Sequence, residues 1–464
     1  MDYKSFIATK ARLVKPCGFA WKSDTDTIFP YQKDLVTWAL RRGKAAIFAD
    51  TGLGKTRMML HWAHAVHEKT SKPVLILAPL AVAAQTVAEG ARIGIQVTHA
   101  REPEQVQPGI NITNYDRLHK FEAHRFGAIV LDESSILKSF TGSTRNAIIE
   151  AFAATPYKLA CTATPAPNDF TELGNHAEFL GVMSRTEMLS TWFVHDGGST
   201  QDWRLKGHAT QEFWRWVSSW GAMVRMPSDL GYDDASHILP PLTVHEHVLP
   251  ASSDDAFARG FLFAQPAATL HDQRTARRAS IQARVAKVAE LVAAEPNEPW
   301  VIWCELNDEG DAITAAIDGA VQVAGADSNE IKEARLTAFA NGSVRVITSK
   351  QSICGWGLNW QHCARVAFLG IGHSFEGYYQ AIRRNWRFGQ KREVIAHIVT
   401  SEAEGAVLAN LRRKEAEWRL ASEEMGAHTR AFVRADVQGL SRQTDEYKAT
   451  KKTQVPNWLK EGAA

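Results

Sequence analysis

The sequence lacks the features that would place this protein outside the cell or in a membrane. Its five cysteines include no C-x-x-C pair, which argues against a disulfide framework and against a zinc site. No stretch approaches the roughly 18 apolar residues that a membrane span needs, and the first residues contain no apolar signal core. A reducing cytoplasm, of a bacterium or of a phage-infected host cell, is therefore the expected location, without membrane association.

The sequence also lacks a large excess of either charge. Its 464 residues carry a net charge of +2, so a contact with nucleic acid must come from local basic clusters and not from a global field. A hydrophobic content of 45% with 22% charged residues is typical of globular domains. The length is too great for one ordinary core and predicts two or three domains.

Short apolar runs, each followed by a helical pattern, recur in both halves of the chain. Continuous β-branched runs that alternate with helices indicate buried parallel strands covered on both faces. We therefore predict an α/β fold with two parallel-sheet domains in tandem. The predicted strands are residues 45–50, 74–79, 110–113, 128–133 and 158–164 in the first half, and 300–305, 321–325, 344–349, 365–370 and 394–399 in the second.

The alternation stops between the two halves. The interval there is rich in tryptophan, which we expect in the core of a mainly helical insertion, and a proline-rich segment after it predicts an extended linker. The predicted division is 1–170 for the first domain, 171–236 for the insertion, 237–250 for the linker, 251–420 for the second domain, and 421–464 for a helical and polar tail.

A loop with an unusual glycine pattern follows the first predicted strand. The stretch FADTGLGKT (48–56) ends like the phosphate-loop pattern G-x-x-x-x-G-K-[ST], but Ala49 stands where glycine should open it, and Gly52 lies inside. Backbone N–H groups of such a loop and its helix can cradle phosphates, while Lys55 adds a charge and Thr56 can bind Mg²⁺. We predict an ATP and Mg²⁺ site, the alternative being a chance G-K-T beside a tight turn.

Two carboxylates end the strand predicted at 128–133. Asp132 is expected to hold Mg²⁺, directly or through water, and Glu133 to polarise the water that attacks the γ-phosphate. A lone Asp-Glu pair could simply cap a helix, but together with a phosphate loop it predicts ATP hydrolysis. Upstream, the Gln32 amide could read an adenine edge, although by itself this residue is more typical of a surface helix.

Taken in series, these motifs resemble a superfamily 2 helicase, closest to the Swi/Snf-like DNA translocase branch. ADTGLGKT matches the last five letters of D-E-M-G-L-G-K-T, and VLILAPLAVAAQT, ITNYDRL, VLDESSILKS and CTATPAPN resemble motifs Ia, Ib, II and III. In the second half, SKQSICGWGLNW resembles motif V and YYQAIRRNWRFGQ resembles motif VI. The resemblance covers roughly residues 28 to 400 and is to DEAD/DEAH-box-like motors of a compact bacterial or bacteriophage type.

The resemblance implies two RecA-like P-loop domains with ATP in the cleft between them. It implies that Arg384 and Arg387 reach the γ-phosphate from the second domain as arginine fingers, and that Thr162 and Thr164 couple hydrolysis to movement. The candidate nucleotide contacts are then Gln32, Gly52, Leu53, Gly54, Lys55, Thr56, Asp132, Gly357 and Gln380. The candidate nucleic-acid contacts, expected opposite the ATP edge, are Pro79, Leu80, Asn114, Tyr115, Ser349 and Lys350.

The sequence departs from the family pattern in motifs II, III and VI. Ser134 and Ser135 replace the usual small residue and histidine of motif II, Ala163 replaces a glycine of motif III, and Arg383 stands where aspartate is common.

The implied activity is an ATP-dependent DNA helicase or a translocase that moves on duplex DNA irrespective of sequence. An RNA helicase of the same superfamily remains an alternative, and so does an ATP-switched subunit of a restriction or replication complex. The sequence names no protein partner.

Overall fold

The computed structural model describes residues 13–22, 24–79, 82–138, 142–167, 169–195, 203–250, 277–354, 359–372 and 374–439. These residues form two large parallel sheets flanked by helices, so the α/β prediction is confirmed. Within the described ranges, no helix combines the length and the apolar character that a membrane crossing requires.

All ten predicted strands are present, and five further strands accompany them. The strands are β1 Lys44–Ala49, β2 Val74–Ala78, β3 Val97–His99, β4 Ile110–Asn114, β5 Ala128–Asp132, β6 Tyr157–Thr162, β7 Phe193–His195, β8 Trp203–Leu205, β9 Gly221–Val224, β10 Leu242–Leu249, β11 Trp300–Cys304, β12 Ala320–Val323, β13 Val346–Lys350, β14 Arg365–Leu369 and β15 Val394–Ser401. The helices are α1 Pro30–Arg42, α2 Lys55–Thr70, α3 Ala83–Arg92, α4 Ser143–Ala151, α5 Leu173–Leu180, α6 Arg185–Trp192, α7 Thr210–Ser218, α8 Ile281–Ala294, α9 Asn307–Ala316, α10 Asn329–Ala340, α11 Gln351–Cys354, α12 Phe375–Ile382 and α13 Gly405–Val437.

The first sheet has seven parallel strands in the order β3-β4-β2-β5-β6-β1-β9. Successive residues of β1 point to opposite faces, so Ile47 packs with helices α1 to α3 whereas Phe48 packs with α4 to α7. Both faces are covered, which explains why the strands read as continuous apolar runs and not as alternating ones. The loops after β1 and β5 therefore open on one edge, with β6 between them.

The insertion predicted at 171–236 contains three α-helices in its described residues and also contributes strands. Its last strand, β9, pairs with β1 and extends the first sheet, while β7 and β8 form a short antiparallel pair. Its tryptophans are core residues as expected: Trp192, Trp214, Trp216 and Trp220 are buried against the first sheet. The interval is thus part of the first domain's packing and not an independent unit.

The second sheet has six parallel strands in the order β10-β15-β14-β11-β13-β12. Its edge strand β10 lies in the segment predicted as a linker, and all eight of its residues pair with β15. The backbone of an extended segment next to a sheet edge satisfies its hydrogen bonds by pairing, which is why this segment is a strand.

The 33-residue helix α13, about 50 Å long, contacts both sheets' cores. Val407 and Leu411 pack with the second sheet, while Met425 and Val433 pack with the first. The helix runs through the predicted boundary at residue 420 without a break. The division into domains stays a prediction.

Candidate functional site

The loop between β1 and α2 has the backbone that a phosphate cradle requires. Gly52 and Gly54 have φ of 90° and 79°, the left-handed region that favours glycine. A Cβ on Gly52 would lie 3.0 Å from the backbone nitrogen of Phe388, so the loop also approaches the second domain closely. At the start of α2, the Lys55 Nζ donates to the carbonyl oxygen of Ala49 at 2.9 Å, within the curve of the loop.

Gln32 lies beneath this loop and is buried, in contrast to the surface position that the residue alone suggested. Its Oε1 accepts from the backbone N–H of Phe29 at 2.9 Å, and its Nε2 donates to the carbonyl oxygen of Leu53 at 2.8 Å. The amide therefore fixes the loop to α1, and its reading of a base stays a prediction. A cavity of about 510 Å³ opens beside it, lined by Thr25, Asp26, Thr27, Ile28, Phe29, Pro30, Lys33 and Arg57.

Asp132 and Glu133 lie on the same sheet edge as the loop, because β5 and β1 are both neighbours of β6. Both carboxylates are buried. Burial and the neighbouring Glu133 charge raise the pKa of Asp132 to about 7, although Lys55 and Arg384 act in the opposite direction. Two buried carboxylates side by side form an environment that favours a cation, which is the chemistry a Mg²⁺ site needs.

The backbone at Glu133 has φ of 53°, a conformation that costs free energy for a residue with a side chain. The next residue is held from beneath: the Ser134 Oγ lies 3.1 Å from the Nε2 of His176, which comes from α5. Burial lowers the pKa of His176 to about 4, so the imidazole is neutral at pH 7. The usual motif II histidine is absent, but a histidine from another element contacts the motif.

Thr162 and Thr164 connect this acidic pair to the second domain. The Thr162 Oγ1 accepts from the backbone N–H of Thr164 at 3.1 Å and lies 3.5 Å from the Oε2 of Glu133. The Thr164 hydroxyl donates to the Oε1 of Glu376 at 3.3 Å, and Glu376 belongs to α12 in the second domain. The two threonines thus lie between Glu133 and α12. Their coupling role stays a prediction.

Helix α12 and the turn that follows it bring two arginines toward the acidic pair. The Arg384 Nη2 donates to the Oε1 of Gln380 at 2.7 Å, so Gln380 orients the guanidinium. Burial lowers the pKa of Arg384 to about 10, and the charges of Glu133 and Asp132 offset part of that effect. Burial and the Arg384 charge lower the pKa of Arg387 to about 9. A buried cation, Arg384, and a partly exposed one, Arg387, near two buried carboxylates fit a site for an anion that carries its own metal ion.

Thr56 and Asp132 are the candidate Mg²⁺ ligands. In the part of the chain that the structure describes, no group of three or more histidine, cysteine, aspartate or glutamate side chains could hold a metal ion. A Mg²⁺ ion bound with nucleotide needs no such group, because it takes one or two protein oxygens, phosphate oxygens and water. A hydroxyl and a carboxylate are oxygen donors of the kind that Mg²⁺ prefers, and their role as its ligands stays a prediction.

Comparison with known families agrees with this geometry. Residues 31–196 match the model of the SNF2-related domain. The chain contains a SNF2-related domain. This identification supports a Swi/Snf-like superfamily 2 protein of the ATPase and helicase type, and such domains generally hydrolyse ATP with Mg²⁺ and act on DNA. No curated protein matches the chain significantly.

The SNF2-related domain also makes contacts with α12 that the sequence analysis missed. Asp50, in the loop, accepts a hydrogen bond from the Tyr379 hydroxyl at 2.6 Å, and Lys138 forms an ion pair with Glu376. The departure from the family pattern at Arg383 was the one sequence signal that pointed here. Contacts of this kind depend on how two distant segments pack, which neither segment encodes alone.

Three of the six predicted nucleic-acid contacts have side chains that are buried in this structure. Asn114, Tyr115 and Ser349 are buried. The Tyr115 hydroxyl donates to the carbonyl oxygen of Asp132 at 2.7 Å, and the Ser349 hydroxyl donates to that of Val323 at 2.8 Å. The partly exposed candidates are Pro79 and Lys350, whereas Leu80 lies outside the described residues. Gly357, predicted as a nucleotide contact, also lies outside them.

Their location also differs from the expectation. Pro79 and Asn114 are found where β2 and β4 end, which is the same sheet edge as the phosphate loop and not the opposite one. All strands of this sheet are parallel, so every loop at a strand's carboxyl end opens on one edge. Pro79 and Asn114 lie on the β3 side of that edge, whereas the phosphate loop lies on the β1 side.

Proposed function

We propose that this protein is an ATP-driven motor that moves along duplex DNA, with ATP hydrolysed between its two sheet domains. The observation that carries the proposal is the arrangement of Arg384 and Arg387 from the second domain beside Asp132 and Glu133 from the first. Each half of such a site is incomplete alone, since one half supplies cations for a γ-phosphate and the other holds the metal and the water. Hydrolysis would then depend on the relative position of the two domains.

Each residue has a distinct task in the proposed reaction. The loop amides and Lys55 would bind the β- and γ-phosphates. Thr56 and Asp132 would hold Mg²⁺, which would supply positive charge to neutralise the phosphates. Glu133 accepts a proton from the attacking water, a role that contributes about 10²–10⁴ in rate in comparable enzymes. Arg384 and Arg387 stabilise the charge of the transition state, for which an arginine finger contributes about 10³–10⁵.

Exposed cations on the first sheet's edge support a nucleic-acid contact there. Arg101 follows β3, while Arg117 and Lys120 follow β4, and all three are partly exposed. They form ion pairs with Glu102 and, across the two domains, with Glu333. A phosphate backbone could replace these carboxylates as the partner of the cations, and contacts of that kind bind DNA irrespective of sequence.

ATP turnover measured with and without polynucleotides tests the proposal. We expect strong stimulation by duplex DNA, weaker stimulation by single-stranded DNA, and little by RNA. A preference for RNA would favour an RNA helicase, and turnover that ignores every polynucleotide would favour an ATP-switched subunit; either result overturns the proposal. The Lys55→Ala variant serves as the control for contaminating ATPases.

Two displacement assays separate translocation from strand separation. A motor that tracks the duplex removes the third strand of a triplex but leaves an ordinary duplex intact, whereas a helicase also displaces a strand of the duplex. We expect triplex displacement. Inactivity in both assays, with DNA-stimulated ATP turnover intact, would contradict movement along DNA.

A further inference from the structure

Three contacts tie the phosphate loop to the motif VI segment, and no motif assignment accounts for them. The Tyr379 hydroxyl donates to the Oδ1 of Asp50 at 2.6 Å, and the Arg383 Nη2 lies 3.4 Å from the Oδ2 of the same carboxylate. One turn further along, the backbone of Phe388 approaches Gly52 so closely that a Cβ on this glycine would lie 3.0 Å from it. The carboxylate of Asp50 is thus held from across the cleft.

The Arg383 guanidinium is itself well fixed. Its central carbon lies 5.1 Å from the ring centroid of Tyr379 and 4.5 Å from that of Trp386, distances at which a cation and an aromatic ring attract each other. The side chain is only 12% exposed. A charge held this firmly, away from water, gains more from a carboxylate partner than a surface arginine would.

The electrostatics of Asp50 agree with an ion pair. Burial alone would raise the pKa of Asp50, but the Arg383 charge and the hydrogen bonds from Tyr379 and the Thr51 backbone reverse the effect and lower it below its ordinary value. Asp50 is therefore charged at pH 7. An aspartate, which the family pattern commonly has at position 383, carries no positive charge and could not form this ion pair.

We propose that Tyr379 and Arg383 are positioning residues, which join the phosphate loop to α12 through Asp50 and thereby place the two catalytic arginines. This inference rests on the proposed function, since it concerns how Arg384 and Arg387 reach a γ-phosphate. Arg383 precedes Arg384 directly in the chain. A shift of Asp50 that carries Arg383 along would therefore also shift the Arg384 guanidinium, which lies near Asp132 and Glu133.

The position of Lys55 gives the tie a way to respond to nucleotide. Its Nζ donates to the carbonyl oxygen of Ala49 at 2.9 Å and contacts that of Asp50 at 3.4 Å. Phosphate draws the ammonium away from these carbonyls, and the loop adjusts around Asp50. Because the Asp50 side chain is bound to residues of α12 and the turn after it, a displacement of the loop directly displaces Arg384 and Arg387.

The test is a double-mutant cycle in the full-length protein with Asp50→Asn, Arg383→Gln and the combined variant. ATP turnover is measured with duplex DNA, and binding is measured separately with the non-hydrolysable analogue AMP-PNP. Each single variant should lower kcat by about ten- to hundredfold, as expected for misplaced catalytic groups, and leave analogue affinity within about twofold. The double variant should be no slower than the slower single one, because both remove one interaction.

Two further variants separate positioning from general stability. Tyr379→Phe keeps the aromatic ring beside Arg383 but removes the hydrogen bond, and should lower kcat less than Arg383→Gln. Asp327→Asn breaks the Arg335–Asp327 pair, which joins atoms 2.8 Å apart within the second domain, and should leave kcat unchanged. Thermal unfolding of every variant accompanies the kinetics.

Additive losses in the cycle, or a loss of analogue affinity as large as the loss of kcat, would overturn the inference. So would equal kcat values for the wild type and both single variants. If DNA does not stimulate wild-type ATP turnover, the motor proposal is wrong, but the inference about Asp50 and Arg383 is still tested. The same double-mutant cycle can be measured on the basal ATP turnover.

Discussion

Ser134 and His176 are hydrogen-bonded in the interior of the first domain, with 3.1 Å between the Ser134 Oγ and the His176 Nε2. Both side chains are fully buried, and the His176 ring packs edge-on against Phe48, at the end of the strand that leads into the phosphate loop. The pair therefore connects the motif II turn, with its strained Glu133, to the strand of motif I.

Ser134→Ala tests that link with little change in volume. The substitution leaves the His176 nitrogen buried without its partner, so the free energy of unfolding should fall by about 1–3 kcal/mol. Turnover should fall as well, because the backbone of Glu133 loses a neighbouring constraint. Urea unfolding and ATPase assays measure the two effects. Ser190→Ala, which removes an exposed hydroxyl from α6, is the matched control and should change neither.

Lys55→Ala and Glu133→Gln should both nearly abolish ATP turnover, but for different reasons. The first variant loses the charge that binds phosphate, so its affinity for AMP-PNP should fall with its rate. The second keeps the shape of the site but cannot accept the proton, so kcat should fall by about 10²–10⁴ while the analogue still binds. Undiminished turnover in both variants would contradict the assigned site.

Glu376→Gln tests the contact between motif III and α12. The carboxylate pairs with Lys138 and accepts from Thr164, so its loss weakens the connection between the acidic pair and the second domain. We expect DNA stimulation of turnover to fall several-fold, while AMP-PNP affinity is retained. Glu246→Gln breaks an exposed ion pair with Arg412 at the far edge of the second sheet and should leave stimulation intact. Equal behaviour of the two variants would refute the coupling role.

Asp436→Ala should detach the end of α13 from the first domain. The carboxylate accepts from the Trp38 Nε1 at 2.6 Å and pairs with Arg42, whose side chain is only 6% exposed. Leaving this arginine without its carboxylate should cost about 3–5 kcal/mol of unfolding free energy. Asp308→Ala removes a well-exposed partner of Arg278 and should cost less than about 1 kcal/mol. Similar losses in the two variants would show that α13 is not anchored there.

The second sheet should lose stability in mild acid. Burial and the nearby charges of His247 and His245 lower the pKa of His397 to about 4, compared with an ordinary 6.5. Between those values the unfolded chain binds a proton that the native protein does not, so this contribution is complete above pH 6.5 and is lost as pH falls toward 4. The groups around this imidazole also include Glu295 and Arg365.

Histidine NMR and urea unfolding check this pH dependence. The His397 resonance should titrate near pH 4, and His397→Gln should flatten the loss of stability between pH 6.5 and 4. A resonance that titrates near 6.5, with an unchanged stability profile in the variant, would contradict it.

Much of the fold could be predicted because buried parallel strands have a local signature. Runs such as VLILAP and AIVLDE place apolar residues on both faces of a strand. Because this pattern, followed by a helical segment, recurs along the chain, all ten predicted strands were found. The strands that escaped prediction are short or lie at edges: β3 has three residues, and β10 is largely exposed, which left it without an apolar pattern. Edge strands are stabilised by their neighbour's backbone, which leaves little trace in their own side chains.

The residues of the candidate site also differ in how well the sequence predicts them. Lys55, Asp132 and Glu133 belong to contiguous motifs whose chemistry can be read from neighbouring letters, and the structure brings all three to one sheet edge. The nucleic-acid residues Asn114, Tyr115 and Ser349 were chosen by motif position alone, and position says nothing about burial. A motif can mark where a ligand passes and still use its own side chains to hold the loop together.

By itself, the sequence determined the two parallel sheets and the superfamily, and it predicted a phosphate loop with acidic partners. Each of these depends on motifs whose residues are close together in the chain. Only the tertiary structure decided that Asp50 faces Arg383, that His176 supports Ser134, and that α13 spans both sheets. The contact between Asp50 and Arg383 joins residues 333 positions apart in the chain. The two polar pairs are stabilised by charge and hydrogen bonding largely shielded from water, and α13 is stabilised by the burial of apolar side chains. Such environments exist only once the chain has folded.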